Sequence, residues 1–383
     1  MLKDLPYARQ WIEEEDIRAV MDILRSPWLT QGPAVERFEG ALADWCGVKC
    51  AVAVSSGTAA LHLACIALGL GPGQRLVTSA LSFVGSANCA LYCGASPDLT
   101  DVDPATGNMT ADTLEVALQD QAPTVVIPVH FGGRPVDMEA ITRVARGAAI
   151  IEDACHAIGA EYLGARGWSR VGACEHSAAT VFSFHPVKPM TTGEGGAILT
   201  QDETLAERLR SLRSHGIVRD AVKQAEVGGW FYEMIRLGYN YRMTDMQAAL
   251  GIIQLRRLGE GISRRRRLAM LYGQQLNGLE SVVLPPPEDN VRSAWHLYPI
   301  RIRSRTASRR TVYEHLRKQG ILVQVHYIPI HLQPYYQERL GFRPGRFPRA
   351  EAFYEEELSL PLFATMTDED VFRVSEAVRE ILA

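Results

Sequence analysis

The chain has no apolar run long enough to span a bilayer, and its start, Met1-Leu2-Lys3-Asp4-Leu5-Pro6, carries no apolar signal region. Both absences predict a soluble, cytoplasmic protein with no membrane partner. A formal charge of −4 over 383 residues leaves no basic excess, so nucleic acid is not expected as a partner. The single basic cluster, Arg264-Arg265-Arg266-Arg267, reads as a solvated helix face. Cysteine is sparse and odd in number. Cys46, Cys50, Cys65, Cys89, Cys93, Cys155 and Cys174 match no zinc spacing, so no metal is expected, and they read as small hydrophobes in a reducing compartment. There is no internal repeat and no low-complexity tract. A Gly-x-Gly-x-x-Gly turn after the first strand is also missing. Gly69-Leu70-Gly71-Pro72-Gly73 follows a helix and contains proline, which argues against a nicotinamide dehydrogenase.

What is present is a substantial core. Hydrophobic residues make up 47% of the chain and charged residues 22%, enough for two domains. Residues 12–25 place apolar side chains at helical spacing, and 35–46 form a second helix after the turn Trp28-Leu29-Thr30-Gln31-Gly32-Pro33. Strands and helices then alternate. Strands are expected at 50–54, 75–78, 96–102, 124–129 and 148–153, with helices at 59–68 and 83–92 between them. That rhythm predicts an α/β fold with a mostly parallel central sheet, helices on both faces and a ligand at the carboxyl ends of the strands. Beyond about residue 255 the texture changes to an arginine-rich helix, strands at 297–302 and 323–327, and a closing helix at 369–382. The division expected is a large domain over 1–255, with an N-terminal helical segment, and a smaller α/β domain over 256–383.

Phe182-Ser183-Phe184-His185-Pro186-Val187-Lys188, followed by Gly193-Glu194-Gly195-Gly196, sets one lysine between an aromatic strand and a glycine-rich turn. Partial burial there disfavours the ammonium and makes Lys188 a nucleophilic amine, able to form a Schiff base with an aldehyde cofactor. Two further strand ends suit such a cofactor. Ser56-Gly57-Thr58 stands where a strand turns into a helix, and helix N-termini bind phosphate; the same three residues also make an ordinary N-cap. Asp153 ends the strand at 148–153, where a carboxylate can hold a protonated pyridine nitrogen; it can equally be a solvated strand-end acid. Phosphate turn, then Asp, then Lys is more specific than any one of the three.

These motifs carry a resemblance. Leu29-Thr30-Gln31-Gly32, Ser56-Gly57-Thr58-Ala59-Ala60-Leu61, Glu152-Asp153-Ala154-Cys155-His156-Ala157, Ser183 to Lys188, Glu194-Gly195-Gly196 and Gly238-Tyr239-Asn240-Tyr241-Arg242-Met243 are similar to the DegT/DnrJ/EryC1/StrS nucleotide-sugar aminotransferases of fold type I. Pro189-Met190-Thr191-Thr192, His296-Leu297-Tyr298-Pro299-Ile300, the stretch 320–330 and Glu357-Leu358-Ser359-Leu360-Pro361 further resemble the transaminases that make UDP-4-amino-4,6-dideoxy-N-acetyl-β-L-altrosamine in pseudaminic acid synthesis. The resemblance implies pyridoxal 5'-phosphate as cofactor, L-glutamate and a UDP-keto sugar as substrates, and a homodimer with shared sites. By the same resemblance Lys188 binds the cofactor aldehyde and Asp153 its ring nitrogen. His156 meets the ring hydroxyl and Phe83 stacks on the ring. Gly57, Thr58 and Ser183 hold the phosphate together with Asn240 of the partner subunit. Tyr7, Thr30, His326 and Tyr327 are implied at the sugar nucleotide. Two rivals share the fold. Sugar dehydratases carry histidine where this chain has Lys188, and pyridoxal-binding regulators usually add a helix-turn-helix, of which the chain shows none.

Overall fold

The computed structural model describes residues 4–119, 122–165 and 167–382. Its centre is a seven-stranded sheet: β1 (Cys50–Val54), β2 (Arg75–Ser79), β3 (Ser96–Thr100), β4 (Val125–Ile127), β5 (Ala149–Asp153), β6 (Ala179–Ser183) and β7 (Gly196–Thr200). Their spatial order is β1-β7-β6-β5-β4-β2-β3. β7 runs antiparallel to both its neighbours, and the other pairings are parallel. Near-continuous apolar strands such as Val125-Val126-Ile127 require cover on both faces, which a parallel sheet receives from its crossover helices.

The strand period of two divides that cover. Ala51, Ala53, Phe182, Ala197 and Leu199 pack with Phe38 and Leu42 of the helix Pro33–Cys46 on one face. Val52, Val54, Val181 and Ile198 pack on the other, against Leu61, Leu63 and Ala64 of the helix α1 (Gly57–Ala67). A second helix that bears on the site, α2 (Gly85–Tyr92), follows β2. Among the described residues no helix is long and apolar enough to cross a membrane.

The helix α3 (Asp245–Leu276) is capped by a reciprocal Thr244–Gln247 box and runs unbroken through position 255. Its C-terminal half packs Leu268, Tyr272 and Leu276 against a smaller antiparallel sheet in which Val282–Val283 and β9 (Glu357–Leu360) flank β8 (Tyr298–Ile302). The N-terminus joins this C-terminal unit: Leu5–Pro6 pairs in parallel with Ile321–Leu322.

Two expectations need correction. The arginine run is a solvated face only in part: Arg264 and Arg267 are exposed, but Arg265 and Arg266 are not. Consecutive helix positions point around the axis, and α3 is packed on several sides. Arg265 is buried and donates to the carbonyls of Trp295 and Leu362, Arg266 donates to those of Ser293 and Gly159, and Arg267 pairs with Asp368. Nor do residues 323–327 form a regular strand. Pairing stops at Leu322 and resumes only as a bridge from Gln324 to Ser359. The N–H of His326 leaves the ladder for the Glu357 carboxylate, which turns this segment toward the site.

Candidate active site

At the carboxyl edge of the parallel strands β5 ends on Asp153, β6 ends on Ser183, and the loop from β6 to β7 carries Lys188. With the start of α1 they line a cavity of about 550 Å³, whose wall also includes Tyr7, Phe83, His156, His326 and Tyr327. A cavity of similar volume, about 600 Å³, lies between Asp112, Arg134 and His176 but contains no lysine. The amine therefore decides which cavity matters.

Lys188 is half-buried, and desolvation lowers its pKa against the opposing pull of Cys155 and Asp153. Asp153 is buried and held from two sides. Ser86 Oγ, in the first turn of α2, donates to its Oδ2 at 2.6 Å, and the N–H of Cys155 donates to Oδ1 at 3.1 Å. The carboxylate is thus fixed in place before any ligand arrives.

An α-helix leaves its first N–H groups without partners inside the helix. In α1 the Ser56 hydroxyl accepts that of Ala59 at 3.1 Å, and those of Gly57 and Thr58 remain for an anion. Close packing requires glycine here. A Cβ on Gly57 would lie 2.9 Å from Ser183 Cβ and 3.1 Å from Cys155 Sγ, and one on Gly196 would lie 2.5 Å from the Ser56 carbonyl.

The opposite wall is aromatic. The Gly132 N–H donates to His156 Nδ1 at 3.3 Å, so in the neutral ring the proton sits on Nε2, which donates to the Tyr327 hydroxyl at 3.0 Å. Burial, with Lys188 next, keeps His156 uncharged by pushing its pKa well down. His296 lies behind it, its ring tilted by 56° with centroids 4.5 Å apart, and is likewise depressed by burial. The His326 ring lies 5.5 Å from Tyr7 and 4.9 Å from Tyr327, and Phe83 stands half exposed at the mouth. An amine of lowered pKa, an anion-binding helix end and an anchored carboxylate, all on one cavity, fit a phosphorylated pyridine aldehyde.

Residues 10–379 match the model of the DegT/DnrJ/EryC1/StrS aminotransferase family. The chain belongs to that family. It is 41% identical to the spore coat polysaccharide biosynthesis protein SpsC of Bacillus subtilis, over 99% of this chain and 97% of that protein. Among solved structures it is similar to Helicobacter pylori PseC, an aminotransferase involved in the biosynthesis of pseudaminic acid (TM-score 0.91, 31% identity, 99% of both chains). It is also similar to a Streptococcus pneumoniae protein assigned as a sugar aminotransferase, in its PMP form (TM-score 0.91, 30% identity, 99% of both chains). The protein is a PLP-dependent sugar aminotransferase of fold type I.

In this aminotransferase the cavity wall brings together Tyr7, Gly57, Thr58, Phe83, Asp153, His156, Ser183, Lys188, His326 and Tyr327. Two residues singled out from the sequence lie elsewhere in the single chain. Thr30 is exposed and bridges to Thr244, while Asn240 is exposed and bridges to Ser214. Sequence reasoning missed Ser86. Its contact with Asp153 spans 67 residues, and Ser86 sits in a helix with no polar signature. Cys155, His185 and Glu194 also line the cavity and were visible only as neighbours within the motifs.

Proposed function

We propose that this enzyme transfers the amino group of glutamate to C4 of a UDP-linked 4-keto-6-deoxy-N-acetylhexosamine, giving UDP-4-amino-4,6-dideoxy-N-acetyl-β-L-altrosamine, in the cytoplasm and as a homodimer. The observation that carries the reading is the meeting of Lys188, Asp153 and the α1 N-terminus on one cavity. The similarity to PseC over 99% of both chains supports the choice of sugar.

When bound, the cofactor supplies an electron sink for the carbanion at the donor Cα. The chain's own groups do the rest. The Gly57 and Thr58 N–H groups and the Ser183 hydroxyl hold the phosphate. Asp153 holds the pyridine nitrogen cationic, with Ser86 and the Cys155 N–H fixing the carboxylate's angle. Phe83 covers one ring face, and His156 keeps its Nε2–H near the ring hydroxyl. Lys188 Nζ, freed by the donor, takes the proton from the donor Cα and later delivers one to the sugar C4. Its depressed pKa keeps the amine available as a base.

Asn240 reaches the phosphate of a second copy. It follows the segment 221–237, where Val222, Trp230, Met234 and Leu237 expose 67%, 78%, 63% and 77% of their surface in the single chain. Apolar exposure on that scale marks a surface that another copy covers. Tyr7, His326 and Tyr327 contact the sugar nucleotide, and Thr30 does so at the rim.

The test is incubation with glutamate and a panel of UDP- and dTDP-linked 4-keto sugars, following 2-oxoglutarate and the aminated sugar. Amination of the UDP-linked N-acetyl sugar is the expected result. Amination of dTDP sugars alone would replace it with the second reading, transfer to another keto sugar. The likeness to SpsC, a spore coat polysaccharide biosynthesis protein, favours that alternative.

A further inference from the structure

Behind the cavity wall lies a carboxyl that the chemistry above does not use. Glu357 opens β9 and is wholly buried, as is Ser359 two residues on. Among the described residues its bonded partners are uncharged. Glu357 Oε2 accepts the His326 N–H at 2.7 Å, Oε1 is in short contact with the Ser359 hydroxyl, and Ser359 Oγ lies 2.9 Å from His326 Nδ1. Carboxyl, hydroxyl and imidazole form a closed circuit, and its last member faces the cavity that holds Lys188.

We propose that Glu357 and Ser359 are positioning residues whose shared proton sets which nitrogen of His326 carries hydrogen, and hence whether Nε2 offers the substrate a donor or an acceptor. With Glu357 protonated, its O–H donates to Ser359 Oγ, the Ser359 O–H donates to Nδ1, and Nε2–H points into the cavity. With Glu357 ionised, each hydrogen has moved one place. Ser359 donates to the carboxylate, Nδ1–H donates to Ser359, and one proton has left through Nε2, which then presents a lone pair. Both states satisfy every member of the circuit.

The balance between them falls near neutral pH. Burial raises Glu357 to about 8, against the lowering pull of Ser359, the His326 N–H and Arg309. Burial, then Lys188, drives His326 down to about 3, so the ring stays neutral while the carboxyl titrates. Other groups facing the circuit are Tyr327, Tyr7, His156 and His296. Opposite Glu357 on β8, Arg301 is engaged by Glu356, which also takes Arg303. The donor state suits an oxygen acceptor on the substrate: a carboxylate of the amino donor or an oxygen of the sugar. Among the described residues no arginine lines the cavity wall to do that work.

The recognition half of this inference rests on the proposed role of His326 at the substrate; the tautomer half does not. The test is the histidine ring nitrogen spectrum of the ¹⁵N-labelled holoenzyme, with His326→Gln identifying the signals. In the wild type the Nε2–H pattern is expected to give way to the Nδ1–H pattern as pH passes about 8. In Glu357→Gln, whose amide donates to Ser359 as the protonated carboxyl does, Nε2–H should persist above that pH. In Ser359→Ala the ring should no longer follow the carboxyl. A wild-type ring fixed in one tautomer across the range, or a switch that survives Glu357→Gln, overturns the relay. Across the switch, a rise of roughly three- to tenfold in KM for glutamate assigns the bond to the donor carboxylate, and the same rise for the keto sugar assigns it to the sugar. Neither rising in an enzyme whose ring does switch overturns the recognition role alone.

Discussion

Two carboxyls serve this cavity from opposite sides, and they are built differently. Asp153 stands at the end of a central parallel strand, is held by a hydroxyl and a backbone N–H, and meets the cavity directly beside an amine. Glu357 stands at the start of a strand in the small sheet, is sealed from solvent, and reaches the cavity only through Ser359 and His326. The first arrangement delivers charge to a ligand. The second stores a proton and reports it through a neutral ring. The cavity is thus rigid and charged on the large-sheet side, and titratable and aromatic on the other.

The sharpest way to break the contrast lies on the charged side. Lys188→Ala should abolish the visible absorption band of the cofactor-loaded protein and lower amino transfer by about 10⁴-fold or more, since it removes both nucleophile and proton carrier. A mutant that stays yellow and active would end the proposed role of Lys188. Asp153→Asn removes the charge and keeps the shape, so turnover should fall by roughly 10²–10⁴-fold in single-turnover kinetics while Ser86 still bonds the side chain. Gly57→Ala forces a Cβ to 2.9 Å from Ser183 Cβ, so cofactor affinity should weaken, by about tenfold or more in a spectroscopic titration. Ser86→Ala is milder. It costs one hydrogen bond to Asp153, about 0.5–1.5 kcal/mol, and so up to about tenfold in kcat, with KM little changed.

The titratable side is tested through stability. In the folded protein Glu357 keeps its proton up to about pH 8, while in the unfolded chain it releases it near the ordinary 4.5. Stability from this group is therefore complete below 4.5 and lost progressively as pH rises toward 8. Glu357→Gln should flatten that part of the melting-temperature profile and gain on the wild type at the alkaline end. A profile identical to the wild type would show that Glu357 does not titrate there.

Much of the charged side was legible in the sequence. Strand–helix alternation placed Asp153 and Ser56-Gly57-Thr58 at strand ends, and a parallel sheet collects its strand ends on one edge. Lys188 stood out because a lysine between an aromatic strand and a glycine turn has little reason to be solvated. The aromatic side was less legible. Residues 323–327 look like a strand by composition, but Gln324 makes only an isolated bridge to Ser359 and the His326 N–H goes to a side chain 31 residues away. The four-arginine run looked solvated because a linear reading does not show what surrounds a helix. Arg265 is buried and donates to the distant backbone carbonyls of Trp295 and Leu362.

The residue order alone determined the layered α/β architecture, the family and the cofactor chemistry. Those rest on local periodicity and on short motifs whose members fold together. Only the tertiary structure decided that Ser86 anchors Asp153, that His156 keeps its proton on Nε2, and that burial outweighs the pull of Arg309 on Glu357. Each depends on groups distant in the chain meeting within hydrogen-bond range and on the water excluded around them. Burial of that kind belongs to the packed molecule and has no linear signature.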